Sequence, residues 1–142
     1  MRPIKNFEDY IEEGLIIKRN PNISRARNLK VEAEKNYEFL KQIINSFNIS
    51  DDNANNIIKL VYDIVMESIR SQMISKGFFS NNSHEAEVAY MRNLKFNDKD
   101  IQFCDQLRYF RNGILYRGKS FDKSYAKKTV DFLDKFRKHL DS

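Results

Sequence analysis

The residues whose types and spacing could support chemistry lie in one short segment near the C-terminal end, from Leu107 to Gly118. The segment reads Leu-Arg-Tyr-Phe-Arg-Asn-Gly-Ile-Leu-Tyr-Arg-Gly, so that three arginines are interleaved with aromatic rings. Cationic side chains neutralise phosphates and aromatic rings stack on unpaired bases, which together are typical of single-stranded RNA binding. The candidate ligand-binding residues are Arg108, Arg111, Asn112, Tyr116, Arg117 and Lys119.

The distribution of charge points to the same part of the chain. The formal net charge is +5. Residues 1–100 hold 15 Lys/Arg against 15 Asp/Glu, whereas residues 101–142 hold 10 against 5. Between Arg108 and Lys128 the only acidic residue is Asp122. This asymmetry favours an anionic partner for the last two helices, while the alternative, in which the rings are core and the cations a solvated rim, stays open.

Composition limits the fold class. The chain has 142 residues, enough to bury a core without disulfides or metal, and only four glycines and two prolines interrupt it. Cys104 is the only cysteine, which excludes an internal disulfide and fits a reducing, cytoplasmic location. No apolar run approaches the roughly 18 residues of a membrane span, so we expect no membrane contact.

Six segments carry apolar residues at three- and four-residue steps, and none shows the alternation of a strand. Residues 1–22 are expected to form a short first helix, ending near Lys18, and the turn Asn20-Pro21-Asn22. The second helix is expected from the N-cap Ser24 to Phe47, and the third from about Asp52 to Lys76. The fourth is expected from the capping pair Asn82 and Glu85 to Leu94. The fifth is expected from Asn97 or Asp98 to Gly118, and the sixth from the N-cap Asp122 to Leu140. The sequence therefore predicts an all-α fold, a single helical-bundle domain over residues 1–142.

The third of these helices is apolar on most of its sides. Its apolar residues are too widely spread around the axis for one narrow stripe, and a helix of that kind is buried on most sides. We therefore expect it to lie in the centre of the bundle or to contribute to a subunit interface. Its apolar residues are Ile57, Ile58, Leu60, Val61, Tyr62, Ile64, Val65, Met66, Ile69 and Met73.

The segment from Leu107 to Gly118, with Lys119-Ser120-Phe121-Asp122 after it and Ser83-His84-Glu85-Ala86 before it, resembles the signature region of the HEPN superfamily. The resemblance implies a mostly antiparallel bundle that forms a homodimer, in which two signature helices line one cleft. It also implies a metal-independent and cofactor-independent ribonuclease site made of an arginine and a histidine four to six residues later. Arg111 takes the place of that arginine, but Tyr116 stands where a histidine is expected.

Three functions remain open at this point. The first, favoured by the loss of the histidine, is a dimeric module that binds RNA or a nucleotide, as the partner of a nucleotidyltransferase antitoxin in a toxin–antitoxin or defence system. The second is an active endoribonuclease with Arg111 and Tyr116 as catalytic residues, or with His84 replacing the histidine. The third is a non-catalytic bundle that binds other proteins.

Tyr116 is a poor replacement for a catalytic histidine. A tyrosine has a pKa near 10 and is almost fully protonated at neutral pH, whereas histidine, near 6.5, is suited to general base catalysis. On a straight helix Arg111 and Tyr116 also lie about 140° apart around the axis. The two histidines, His84 and His139, are interpreted as surface or capping residues, with some interest in His84 because it precedes Glu85 and could line the same cleft.

Overall fold

Helices account for most of the chain, and the all-α prediction is confirmed. The computed structural model describes residues 3–142. Its helices are α1 (Phe7–Glu12), α2 (Ile23–Phe47), α3 (Ala54–Ser75), α4 (His84–Ala89), α5 (Asp98–Arg117) and α6 (Lys123–Asp141), with a 3₁₀ turn at Tyr90–Arg92. Two short strands, β1 (Ile16–Lys18) and β2 (Phe78–Ser80), complete the fold. No helix within the described residues is long and apolar enough to cross a membrane.

The central helix is α3, as its apolar pattern predicts. It packs against α2, α4, α5 and α6, and its buried residues are spread around most of its circumference. The connection from α2 to α3 is only six residues long, so the two helices run antiparallel and form the largest contact in the fold. Because α3 is enclosed in this way, polar groups on it must find partners within the protein.

The two strands form an antiparallel ribbon that the sequence did not predict. Ile16 pairs with Ser80, Ile17 with Phe79, and Lys18 with Phe78. Three residues are too few to show the alternation by which a strand is recognised, and the pairing joins segments about 60 positions apart. The ribbon places the residues that follow α1 directly against the end of α3.

A glycine makes this close approach possible. Gly77 has a φ of +87°, and a Cβ atom placed on it would lie 2.2 Å from the carbonyl oxygen of Arg19. In return the Arg19 N–H donates a hydrogen bond of 2.8 Å to the Gly77 carbonyl. Gly77 therefore does more than end α3, since it also allows the chain after β1 to lie against it.

Most helix boundaries agree with the predicted caps, with four corrections. The fourth helix, expected to reach Leu94, ends at Ala89, where the chain tightens into the 3₁₀ turn Tyr90–Arg92. The side chain of Asn22, not Ser24, accepts the hydrogen bond that starts α2, and Ser83, not Asn82, caps α4. The first helix ends at Glu12, earlier than predicted, because Gly14 adopts a left-handed conformation. Asn97, Gly118 and Asp122 cap α5 and α6 as predicted.

Replacement of Gly77 tests this packing. We expect Gly77→Ala to lower the free energy of unfolding by at least about 2 kcal/mol, because left-handed strain adds to a clash with the backbone. Gly14→Ala is the matched control: Gly14 also has a positive φ, but no atom of residues 3–142 lies within 4 Å of its added Cβ. It should cost only about 1 kcal/mol. Equal losses in urea denaturation would contradict the role assigned to Gly77.

Candidate functional site

Arg111 points from α5 towards the central helix. Its Nη2 lies 3.8 Å from Asp63 Oδ1, and its guanidinium carbon lies 5.2 Å from the centre of the Tyr62 ring. The side chain is only 23% exposed. The arginine that the HEPN resemblance singles out is thus held between α5 and α3 and does not extend into solvent.

His84 reaches the same tyrosine from another helix. It is the first residue of α4, and its Nδ1 lies 2.8 Å from the Tyr62 hydroxyl oxygen. The two rings are nearly parallel, with 6.1 Å between their centres. Tyr62, which is almost fully buried, therefore contacts both His84 and Arg111 and links α3 to α4 and α5.

Glu87 and Arg70 extend this group of polar side chains. Glu87 is only 4% exposed, and its Oε2 accepts a hydrogen bond of 3.1 Å from Arg70 Nε. Two buried atoms in the group have no hydrogen-bond partner within the described part of the chain, Glu87 Oε1 and Arg111 Nε. Buried polar atoms in native proteins are usually paired with protein, water or a ligand, so such atoms mark a candidate site.

Arg108 completes the group on the side of α5. Its Nε donates to Asp105 Oδ1 at 2.7 Å, and its Nη2 lies 3.8 Å from Glu85 Oε1. The Tyr10 hydroxyl donates to the other oxygen of Glu85 at 2.7 Å. Together, seven side chains form the Tyr62 cluster: Tyr62, Asp63, Arg70, His84, Glu87, Arg108 and Arg111.

Burial dominates the protonation behaviour of this cluster. It lowers the pKa of His84 below the usual value, with Glu87 acting in the opposite direction and the three arginines adding to the decrease. Burial also raises the pKa of the Tyr62 hydroxyl and that of the Asp63 carboxyl, the latter against the attraction of Arg111. At neutral pH His84 is therefore a neutral imidazole, the form that can accept a proton.

The remaining predicted residues lie on the outer surface. Tyr116 is 78% exposed, and no hydrogen bond, ion pair or ring contact within the described residues joins it to Arg111. The Arg117 guanidinium lies 4.7 Å from the centre of the Tyr109 ring and donates to its hydroxyl at 3.3 Å. Asn112 is half-buried and Lys119 exposed. The structure thus brings Arg108 and Arg111 together and leaves Tyr116, Arg117 and Lys119 on a separate surface.

Some aromatic rings near this surface belong to the core. Phe110, Phe121 and Tyr125 pack on one another with ring centres 4.8 to 5.5 Å apart. The alternative in which the aromatic rings belong to the core therefore holds for these three rings. It does not hold for Tyr109 and Tyr116, which are exposed. Only the last two rings are accessible enough to stack on a base.

Sequence analysis missed Tyr62, Asp63, Arg70 and Glu87 as possible site residues. Tyr62 was counted only among the apolar residues of the third helix. A weak signal was available, because Tyr62-Asp63 and Arg70 place polar groups within the helix whose apolar residues are the most widely spread. Their meeting with His84 depends on how α4 packs, which residue spacing does not show.

The pH dependence of stability tests the environment of His84. The folded pKa is lower than the unfolded value of about 6.5, so below that pH the unfolded chain binds a proton that the folded protein does not. Stability that is present above about pH 6.5 should be lost as the pH falls towards the folded pKa. We expect this loss to be smaller in His84→Asn, measured by urea denaturation between about pH 5 and pH 7. An NMR titration in which His84 titrates at or above about 6.5 would contradict the assignment.

No family model matches the chain, and neither the curated proteins nor the solved structures include a significant match. The HEPN resemblance therefore stays a prediction, based on the residues around Arg111.

Proposed function

We propose that the protein binds single-stranded RNA on the surface formed by the end of α5 and the start of α6. This α5–α6 surface comprises Tyr116, Arg117, Lys119, Lys123 and Lys127. All five residues are exposed, and none of the four cations forms an ion pair within residues 3–142. Cations without a carboxylate partner are available to phosphates.

The observation that carries the proposal is the exposure of Tyr116 among these cations. A ring that is 78% exposed contributes little to the folded core, and it lies one residue before Arg117 and three before Lys119. Base stacking on an aromatic side chain contributes about 1–3 kcal/mol per base. A ring flanked by cations can bind a base and the neighbouring phosphates together.

The α5–α6 surface is held on a rigid support. Asn55, in the first turn of α3, donates to the Lys119 carbonyl at 3.0 Å and accepts from the Phe121 N–H at 2.9 Å. Asp51 accepts from the Lys123 N–H at 2.8 Å. The loop that contains Lys119 and the start of α6 are therefore fixed to the beginning of the central helix, which lowers the entropic cost of binding.

The HEPN resemblance forms part of the same proposal. A two-fold homodimer formed along α5 would place two α5–α6 surfaces side by side and increase the local positive charge. A nucleotidyltransferase would be the cognate partner of such a dimer.

RNA binding should depend on the α5–α6 surface. We expect Tyr116→Ala to weaken binding of a single-stranded RNA oligonucleotide by about 1–3 kcal/mol, because one base loses its stacking partner. The double variant Lys119→Gln/Lys123→Gln should make the slope of log affinity against log salt concentration less steep by about 1.4, because each lost phosphate contact contributes roughly 0.7. Fluorescence anisotropy of a labelled oligonucleotide measures both.

The matched control neutralises two exposed lysines elsewhere, Lys35 in α2 and Lys138 near the end of α6. Lys35→Gln/Lys138→Gln has the same net charge as the test variant and should keep the salt slope of the native protein. Equal losses in the two double variants would mean that net charge alone governs binding. The absence of RNA binding by the native protein would instead favour a bundle that binds an acidic protein.

The Tyr62 cluster favours a second candidate function, metal-independent RNA cleavage. Tyr62 brings together an arginine and a neutral histidine, although His84 is not the residue expected from the HEPN signature. In the tautomer in which His84 Nδ1–H donates to the Tyr62 oxygen, Nε2 carries the free lone pair and is the nitrogen that would accept a proton. Arg111 lies about 9 Å along α5 from Arg117, so a strand on the α5–α6 surface could also reach the cluster.

In this candidate reaction His84 removes the proton of a ribose 2′-hydroxyl. The 2′-oxygen then attacks the adjacent phosphorus, and the bond between phosphorus and the 5′-oxygen breaks. The products are a 2′,3′-cyclic phosphate and a 5′-hydroxyl, which receives the proton. Arg111 stabilises the negative charge that develops on the phosphate oxygens.

Cleavage assays in EDTA distinguish the possible bases. If His84 is the base, His84→Asn and Arg111→Ala should each lower the cleavage rate by about 10² or more, whereas Tyr116→Phe should have little effect. The opposite pattern, loss in Tyr116→Phe with activity kept in His84→Asn, would support the base expected from the signature spacing. No cleavage by the native protein would leave RNA binding as the function.

A further inference from the structure

We propose that the ribbon end of the molecule is a second phosphate-binding surface, which holds the backbone of the same RNA strand. The ribbon surface comprises Lys18, Arg19, Arg25, Lys76 and Phe79. The inference deepens the proposed function and depends on it, since it concerns how the RNA ligand extends beyond the α5–α6 surface.

Two segments without acidic residues meet at this surface. Residues 14–31 contain five Lys/Arg and no Asp or Glu, and residues 68–84 contain two Lys/Arg and no Asp or Glu. The pairing of β1 with β2 and the hydrogen bond from Arg19 to Gly77 bring the two segments together. Residues 1–100 as a whole hold equal numbers of Lys/Arg and Asp/Glu. The local excess of positive charge becomes evident only when the fold brings the two segments together.

The cations of the ribbon surface are available for a ligand. Lys18, Arg19, Arg25 and Lys76 are all exposed, and none forms an ion pair within residues 3–142. The Lys18 Nζ lies 4.5 Å from the centre of the Phe78 ring, and the Arg25 guanidinium carbon lies 5.9 Å from that of Phe79. An aromatic face orients a cation without neutralising it, so its N–H groups can still bind phosphate.

The exposed groups of the surface favour a nucleic acid strand. Lys18, Arg19, Asn20, Arg25 and Phe79 line a wide, shallow depression of about 1100 Å³. Cations beside an aromatic edge match the phosphates and bases of a single strand, the ligand proposed for the α5–α6 surface. We therefore assign the surface to RNA and treat binding to anionic lipid as an outcome of the test.

The ribbon surface and the α5–α6 surface lie at opposite ends of α3. Asn55, in the first turn of α3, holds the loop that contains Lys119, whereas Gly77, just after its last turn, contacts Arg19. The 22 residues of α3 span about 33 Å at 1.5 Å per residue. A strand that contacts both ends would span at least this length, about ten stacked nucleotides at roughly 3.4 Å each, over the outside of the helices that enclose α3.

Binding of RNA oligonucleotides of two lengths tests the inference. We expect the double variant Lys18→Gln/Arg25→Gln to bind a twelve-nucleotide RNA about tenfold more weakly than the native protein and with a salt slope lower by about 1.4. A four-nucleotide RNA is too short to reach both surfaces, so its affinity for the α5–α6 surface should fall far less. Lys35→Gln/Lys138→Gln is again the charge-matched control, and circular dichroism verifies that each variant is folded.

The outcomes separate the two proposals. If the ribbon variant binds the long RNA as tightly as the native protein while Lys119→Gln/Lys123→Gln does not, the second surface is disproved and the proposed function stands. If the native protein binds no RNA of either length, both proposals fail. Binding to phosphatidylserine vesicles that is stronger than binding to RNA and is lost in the ribbon variant would assign the surface to a membrane and overturn the inference.

Discussion

The burial of α3 on most of its sides is the constraint on which the rest of the structure depends. A helix enclosed by four others leaves no water for the polar groups on its inner surface, so those groups must be paired within the protein. Tyr62 satisfies this requirement through His84, and Arg111 packs over its ring. One side chain of the central helix thus determines where two potential catalytic groups lie.

The same constraint separates the charges of the chain into two kinds. The arginines of the Tyr62 cluster are paired with carboxylates: Arg70 with Glu87, Arg108 with Asp105 and Arg111 with Asp63. Among residues 3–142, the cations of the α5–α6 surface and of the ribbon surface have no such partners. The inner arginines therefore hold the fold and polarise the Tyr62 cluster, whereas the outer cations dominate the field that an approaching polyanion encounters.

The helical part of the fold could be predicted from sequence, because apolar spacing repeats over many turns and capping residues mark the ends. The breadth of the apolar surface on the third helix even predicted its central place. The ribbon could not be predicted, since three-residue strands leave no pattern and their pairing depends on distant segments. The displacement of the helix caps to Asn22 and Ser83 reflects alternatives only one or two positions away that spacing alone does not separate.

The candidate site was predicted only in part, for a related reason. Arg108 and Arg111 stood out by residue type, and the 140° separation of Arg111 from Tyr116 followed from helix geometry. Tyr62 resembled an ordinary core residue, however, and the hydrogen bond between its hydroxyl and His84 becomes evident only when α4 is packed against α3. Contacts between residues 22 positions apart or more decide which groups meet, and no periodicity of the chain encodes them.

A double-mutant cycle on the free energy of unfolding tests the link between Tyr62 and His84 most directly. Tyr62→Phe removes only the hydroxyl, His84→Ala removes its partner, and the two together complete the cycle. We predict a coupling energy between the two substitutions of about 0.5–1.5 kcal/mol, the usual contribution of an intramolecular hydrogen bond. Losses that add to within about 0.3 kcal/mol would contradict the claim that Tyr62 joins the histidine of α4 to the arginine of α5.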